Sequence, residues 1–218
     1  MDVLAPYRSR PVALPETLRR TDVGAAAWWG LRADGVVRLL WGEVAMAADL
    51  TETPQRRAAA IADLVPARGV VGGHSAVWLH TGRFPPRRVD VLVPARGRRA
   101  DPHPLRVTAE ATFGPDDVQQ LGAVRATTIQ RTGIDLCRHL PPEEALHLLR
   151  PLLDTGFDSG AALRQLDRLG GHRGVLRARE VLRRLDDRGG AQETNLVRDE
   201  RGQTLLTGPS TALAPVTR

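Results

Sequence analysis

The segment whose residue types are most suggestive of catalysis is G-H-S-A-V, in which Ser75 follows Gly73 by two residues. This order approaches the G-x-S-x-G turn on which hydrolases expose a nucleophilic serine. The fifth position is Val77, where that turn needs a small residue, and the doubly wound pattern of a hydrolase is absent. No downstream histidine follows an acidic residue at a strand end. These histidines are His103, His139, His147 and His172. We expect Ser75 to cap a structural helix; a serine hydrolase using Ser75 is a remote alternative.

Other catalytic classes are excluded by a residue type that the chain lacks. The 31 residues counted as Lys+Arg are all arginine. A Walker A loop, a pyridoxal Schiff base and a kinase active site each need a lysine, so the sequence excludes all three. The six histidines show no metal-ligand spacing, and the single Cys137 disfavours a structural zinc site. We therefore expect no enzyme activity, no cofactor and no metal.

The overall charge points to an anionic partner. A net charge of +6 and an isoelectric point near 11.0 favour nucleic acid as the simplest such partner. One cysteine fits a reducing compartment. The amino terminus has no signal-peptide pattern, and no window is apolar enough for a membrane helix. We expect a cytoplasmic protein with no membrane partner.

The first 50 residues have the pattern of a small winged helix-turn-helix domain. Leu14–Arg20 is predicted to be a short helix with Pro15 in its first turn, followed by a turn at Thr21–Asp22. Residues 23–31 then take the place of a recognition helix. Two apolar segments, 36–40 and 43–47, can pair as a hairpin that forms the wing.

This recognition helix carries few groups that could contact DNA. It contains Trp28 and Trp29, which are more typical of a core or an interface, and the only basic residue at its end is Arg32, which directly follows it. The arginines around it suit phosphates better than base edges. The candidate DNA-binding residues are Arg19, Arg20, Arg32 and Arg38, with Arg96, Arg98 and Arg99 of a later loop as a second group.

Residues 51–188 have the pattern of a mixed α/β domain that ends in amphipathic helices. Thr53 and Pro54 predict the start of a connecting helix, on which Arg56 and Arg57 are expected to face outward. A helix opening at Ser75 and ending at a Thr81–Gly82 turn should follow. The predicted strands are Val89–Val93, Leu105–Thr108, Val118–Leu121 and Val124–Ala126.

The segment T-T-I-Q-R-T-G-I-D-L-C, from Thr127 to Cys137, predicts a further helix. Its apolar residues fall on one face, and Arg131 and Asp135 are spaced to form an ion pair. Three amphipathic helices should follow, at Pro142–Leu153, Ser159–Leu169 and Val175–Asp187. Residues 189–218 are polar and aperiodic, and we expect a disordered tail. The predicted fold class is α+β, with domains at 1–50 and 51–188.

These motifs together resemble the AbiEi-type antitoxins of type IV toxin–antitoxin systems. The resemblance lies in the order His-Ser-Ala, Leu-His-x-Gly and an alternating valine strand, and in a Thr-x-x-R-T-x-x-D-L-type helix start. The first 50 residues also match the amino-terminal domain of that family. The chain is similar to stand-alone actinobacterial members that lack a carboxy-terminal nuclease-like domain.

The resemblance implies a transcriptional regulator that binds duplex DNA upstream of its own operon and represses it. It also implies that the carboxy-terminal domain opposes a nucleotidyltransferase-like toxin. The principal alternative is a protein-interaction module whose DNA-reading helix has decayed, with Trp28 and Trp29 as partner anchors.

Overall fold

The computed structural model describes residues 15–95, 101–168, 171 and 173–193, which form a mixed α+β structure with two sheets. The strands are β1 (Thr17–Arg19), β2 (Val37–Trp41), β3 (Val44–Ala47), β4 (Val70–Val71), β5 (Val89–Pro94), β6 (Arg106–Ala111), β7 (Val118–Leu121) and β8 (Val124–Thr127). The helices are α1 (Arg20–Ala33), α2 (Pro54–Ile61), α3 (Gly73–Thr81), α4 (Ile129–His139), α5 (Pro142–Leu153), α6 (Ser159–Arg168) and α7 (Val175–Glu193).

The amino-terminal unit is a three-stranded antiparallel sheet in the order β1-β3-β2, with α1 packed on one face. Trp28 of α1 is buried in a small core with Leu18, Val37 and Ala45. The helix is broken at Gly24, whose φ of +78° lies in the left-handed region that glycine adopts at little cost. The unit therefore contains a short and a longer helical segment followed by a hairpin.

The helix predicted at Leu14–Arg20 is wrong in its described part. Residues 17–19 form β1, which pairs with β3 in the register Thr17 to Met46. The pairing buries Leu18 and satisfies the backbone groups that a local helix would otherwise have satisfied. The hairpin prediction is confirmed to within a residue at each end.

The second sheet has five strands in the order β6-β5-β4-β8-β7. The pairs β5–β6 and β4–β8 are parallel, and the other two are antiparallel. Val89, Val91 and Val93 are buried on one face of β5, as their alternation predicts. The predicted strands at residues 89–93, 118–121 and 124–126 are confirmed.

The hairpin and the second sheet share one hydrophobic core. Leu40, Trp41 and Met46 of the hairpin pack in the same cluster as Ile61 of α2 and Trp78 of α3. The amino-terminal unit is thus fixed against the rest of the chain, and the division into domains at residue 50 stays a prediction.

The carboxy-terminal half is a helical layer formed by α4 to α7 around leucines such as Leu149 and Leu182. The α4 helix begins at the predicted position, because the hydroxyl of Thr128 accepts a hydrogen bond from the backbone N–H of Arg131. The predicted start of the tail at residue 189 is wrong, because α7 continues to Glu193. Residues 194–218 lie outside the described residues. No helix in the described part of the chain has the length and hydropathy to cross a bilayer.

Candidate nucleic-acid interface

The outer face of α1 is the most exposed helical surface of the amino-terminal unit. Ala25, Ala26 and Ala27 are exposed, and Trp29 keeps 56% of its surface in solvent. By contrast, Trp28 is 2% exposed. The two neighbouring tryptophans therefore have different roles: Trp28 is core, and Trp29 is free to contact a partner.

Arg19 and Arg20 lie where β1 passes into α1, beside the hairpin turn. Arg19 forms an ion pair with Asp63 at 2.9 Å, and Arg20 forms one with Glu43 at 2.5 Å. Both carboxylates are well exposed, so each pair lies in a high-dielectric environment where it contributes little to stability. Such arginines can exchange a carboxylate for a phosphate at small cost.

Arg38 belongs to a more buried network. Its Nη1 donates to Glu52 Oε2 at 3.1 Å, and Arg57 Nη1 donates to Glu52 Oε1 at 2.9 Å. Arg57 also donates through Nε and Nη2 to the carbonyl oxygen of Leu79, at 3.0 and 2.8 Å. One carboxylate thus connects the hairpin, α2 and the last turn of α3.

The prediction that Arg57 faces outward is wrong, since the residue is 5% exposed. Its guanidinium satisfies carbonyl groups at the carboxy-terminal end of α3, where the helix dipole favours a cation. Arg56 is half-buried and pairs with Glu16 at 3.3 Å. Of the partners of these two arginines, Glu16 and Leu79 are distant in sequence.

The remaining predicted arginines fall into two groups. Arg32, at the end of α1, places its guanidinium carbon 4.9 Å from the centre of the exposed Trp29 ring, within cation–π range. Arg96, Arg98 and Arg99 lie outside the described residues. The structure therefore brings Arg19 and Arg20 together near the hairpin turn, while Arg38 is directed into the Glu52 network.

The segment between α3 and β5, residues 82–88, is a basic connection that the sequence predictions did not include. It carries Arg83, Arg87 and Arg88, all exposed, and contains no acidic residue. None of the three forms an ion pair with any residue that the structure describes. The run R-F-P-P-R-R could have indicated this loop, because it combines dense positive charge with two prolines that restrict the backbone.

Ser75 is buried and holds α3 to β5. Its hydroxyl accepts a hydrogen bond from Asp90 N–H at 2.8 Å and lies 3.4 Å from Asp90 Oδ2, which also accepts from Ser75 N–H at 3.3 Å. Burial raises the pKa of Asp90, although hydrogen bonds from the first turn of α3 oppose that shift. The expectation that Ser75 caps this helix is wrong, because α3 begins at Gly73 and Ser75 is its third residue.

Arg131 is the centre of the motif that opens α4. Its Nε donates to Asp135 at 2.8 Å, as the spacing predicts, and its Nη1 donates to Asp117 at 2.6 Å and to the Thr112 carbonyl at 3.1 Å. Burial by itself would lower the pKa of Arg131, but Asp135 and Asp117 raise it overall, so the guanidinium stays charged. These contacts tie the connection between β6 and β7 to α4.

A cleft of about 440 Å³ opens beside Arg131, between β5, β6 and α4. Its ionisable lining includes Asp90, Glu110, Asp135 and His139. Within the described residues, no group of three or more histidine, cysteine or acidic side chains could hold a metal ion. Arg131 binds Oδ2 of Asp135, and the first turn of α3 binds Asp90, whereas Oδ1 of Asp135 is buried without a hydrogen-bond partner among the described residues.

Comparisons with known proteins identify a distant structural neighbour and no related family. No family model matches the chain, and no curated protein matches it in sequence. The crystal structure of the RV2827C protein from Mycobacterium tuberculosis is similar over 81% of this chain and 73% of that one, with 15% identity and a TM-score of 0.42. A similarity this weak assigns no function to the chain.

Proposed function

We propose that this protein is a DNA-binding regulator of the AbiEi antitoxin type, and that its amino-terminal unit lies against duplex DNA. The observation that carries the proposal is the exposed outer face of α1, next to a hairpin in a sheet of order β1-β3-β2. A winged helix-turn-helix domain presents a helix and a hairpin to DNA from such an arrangement. Only Trp28 of α1 is fully buried, which leaves the other face available.

The chemistry of this face supports binding with low sequence specificity. Alanines can approach the major groove closely and contact thymine methyl groups, but they cannot make the bidentate hydrogen bonds that distinguish bases. Arg19, Arg20 and Arg32 are placed at the two ends of α1, where they could contact phosphates. We therefore expect affinity to depend mainly on phosphate contacts and on DNA shape.

The resemblance to antitoxins extends the proposal to a cytoplasmic regulator that represses its own operon and opposes a nucleotidyltransferase-like toxin. Its test is fluorescence anisotropy of the full chain with a labelled duplex from the region upstream of its gene. We expect binding at about 50 mM salt that weakens steeply by about 200 mM. Absence of binding at the lower salt concentration would contradict the proposal, even if the chain opposed a toxin.

A protein-interaction module is the second candidate, and the exposed apolar residues of the same unit favour it. Trp29 is 56% exposed, and Leu39 on the hairpin is 47% exposed. Exposed aromatic residues are enriched at the centres of protein interfaces. Substitution of Trp29 by alanine separates the two candidates: it should abolish a protein complex in the second, and should leave the salt dependence of DNA binding intact in the first.

A further inference from the structure

The positive charge of the chain is not located in the unit that resembles a DNA-binding domain. Residues 1–50 contain six arginines and six acidic residues, a net charge of zero. Four of these arginines lie in the described part of the unit, and three of the four already pair with carboxylates, at Asp63, Glu43 and Glu52. A duplex held against α1 would therefore gain little net electrostatic attraction from this unit alone. Another basic surface must lie beside it if phosphate contacts dominate affinity.

The arginine loop, residues 82–88, is held against the hairpin. The indole N–H of Trp41, at the end of β2, donates to the carbonyl oxygen of Pro86 at 2.7 Å, and this bond is buried. The next residue is Arg87, followed by Arg88, and both side chains are exposed. The hairpin turn and the two arginines are thus neighbours, although more than 40 residues separate them in sequence.

The same loop is anchored at a second point by Phe84. Its ring packs against the carboxy-terminal core and lies 4.4 Å, centre to centre, from the ring of His147. Its φ is +59°, the only positive value for a residue other than glycine in the described part of the chain. Such a backbone conformation costs free energy and persists only where its surroundings enforce it. At the loop's start, Gly82 also adopts a left-handed conformation and ends α3.

No carboxylate among the described residues forms an ion pair with the arginines of this loop. Arg88 donates through one nitrogen to the Arg106 carbonyl at 2.9 Å, which orients the guanidinium without cancelling its charge. Arg83 and Arg87 have no carboxylate partner among the described residues. A loop fixed at two points loses little conformational entropy when it binds, so its contacts are gained at low cost.

We propose that the arginine loop is a phosphate-binding element, which contacts the DNA backbone beside the groove that faces α1 and the hairpin. Arg83, Arg87 and Arg88 supply the contacts, and Trp41 and Phe84 position the loop that carries them. This inference rests on the proposed function, because it assigns the phosphate contacts for the same DNA complex. It also moves the main electrostatic contribution away from Arg38.

The test replaces all three arginines of the loop by glutamine in the full chain, and measures duplex binding by anisotropy over a range of salt concentrations. Each lost phosphate contact lowers the slope of log K against log salt by about 0.9. At about 0.1 M salt, that slope corresponds to about eightfold in affinity per contact. Loss of two or three contacts should weaken binding by about 60-fold to about 500-fold.

The matched control replaces Arg150, Arg168 and Arg177, three exposed arginines on α5, α6 and α7. It changes the net charge by the same amount, and we expect less than about a threefold change in affinity and an unchanged slope. Equal weakening in both variants, or no weakening in the loop variant, would overturn the inference while leaving the proposed function intact. If the unmodified chain binds no duplex even at low salt, the proposed function fails, and this inference fails with it.

Discussion

Replacement of Arg131 by methionine should destabilise the fold far more than loss of a surface arginine. The substitution keeps much of the aliphatic stem but removes the partner of both Asp117 and Asp135, whose side chains are 16% and 10% exposed. Leaving a nearly buried charge without its partner costs about 3–5 kcal/mol. For a domain of this size, that loss lowers the Tm by roughly 6–20 °C.

The measurement is urea unfolding followed by circular dichroism, with Arg179→Met as the control. Arg179 pairs with Asp167 at 2.7 Å, a similar distance, but that carboxylate is 68% exposed, so the control should lose less than about 1 kcal/mol. A double-mutant cycle with Asp135→Asn should give a coupling free energy of about 1–3 kcal/mol. Two results would refute the view that this network holds the β6–β7 connection to α4. One is additivity of the two substitutions within about 0.3 kcal/mol. The other is a loss of unfolding free energy below about 1 kcal/mol for Arg131→Met.

Three further predictions use the same unfolding assay. Ser75→Ala should cost about 1–3 kcal/mol, because Asp90 N–H loses its acceptor; esterase activity that disappears in this variant would instead make Ser75 a nucleophile. Burial lowers the pKa of His80, so the folded state binds fewer protons than the unfolded state, and the free energy of unfolding should fall as pH drops below about 6.5. The variant His80→Gln should show a smaller fall. An identical pH profile in this variant would contradict a role for His80 in the pH dependence. Trp28→Ala should cost about 3–5 kcal/mol whereas Trp29→Ala should be nearly neutral, and similar losses from the two would show that Trp29 is also core.

Sequence patterns predicted the elements whose formation depends on neighbouring residues. The α2 helix begins at Pro54 after the Thr53 cap, and α5 spans the predicted residues, because capping residues and apolar periodicity are local signals. The alternating valines of β5 carry similar information. For these elements the local sequence was sufficient, although it misplaced the start of α3 and the end of α7.

Two other errors occurred where the deciding partner is distant in the chain. Residues 17–19 form a strand because β3 offers a ladder more than 20 residues away, and three residues are too few for alternation to be visible. Arg57 is on the side of α2 that faces the end of α3, where the carbonyl of Leu79 accepts from it. Hydrophobic periodicity cannot reveal this burial, because an arginine counts as a polar position in the pattern whether its side chain is buried or exposed.

The arginines of this chain show why net charge is a poor guide to a binding surface. Arg57 and Arg131 are structural, since each satisfies buried acceptors, and their charges are cancelled within the protein. Arg19 and Arg20 are paired at the surface, and a phosphate would have to compete with a carboxylate for them. A field that attracts DNA depends on the charges left over after such pairing. Because the three arginines of residues 82–88 are exposed and unpaired within the described structure, they should contribute more to attraction than the arginines that adjoin the exposed helix.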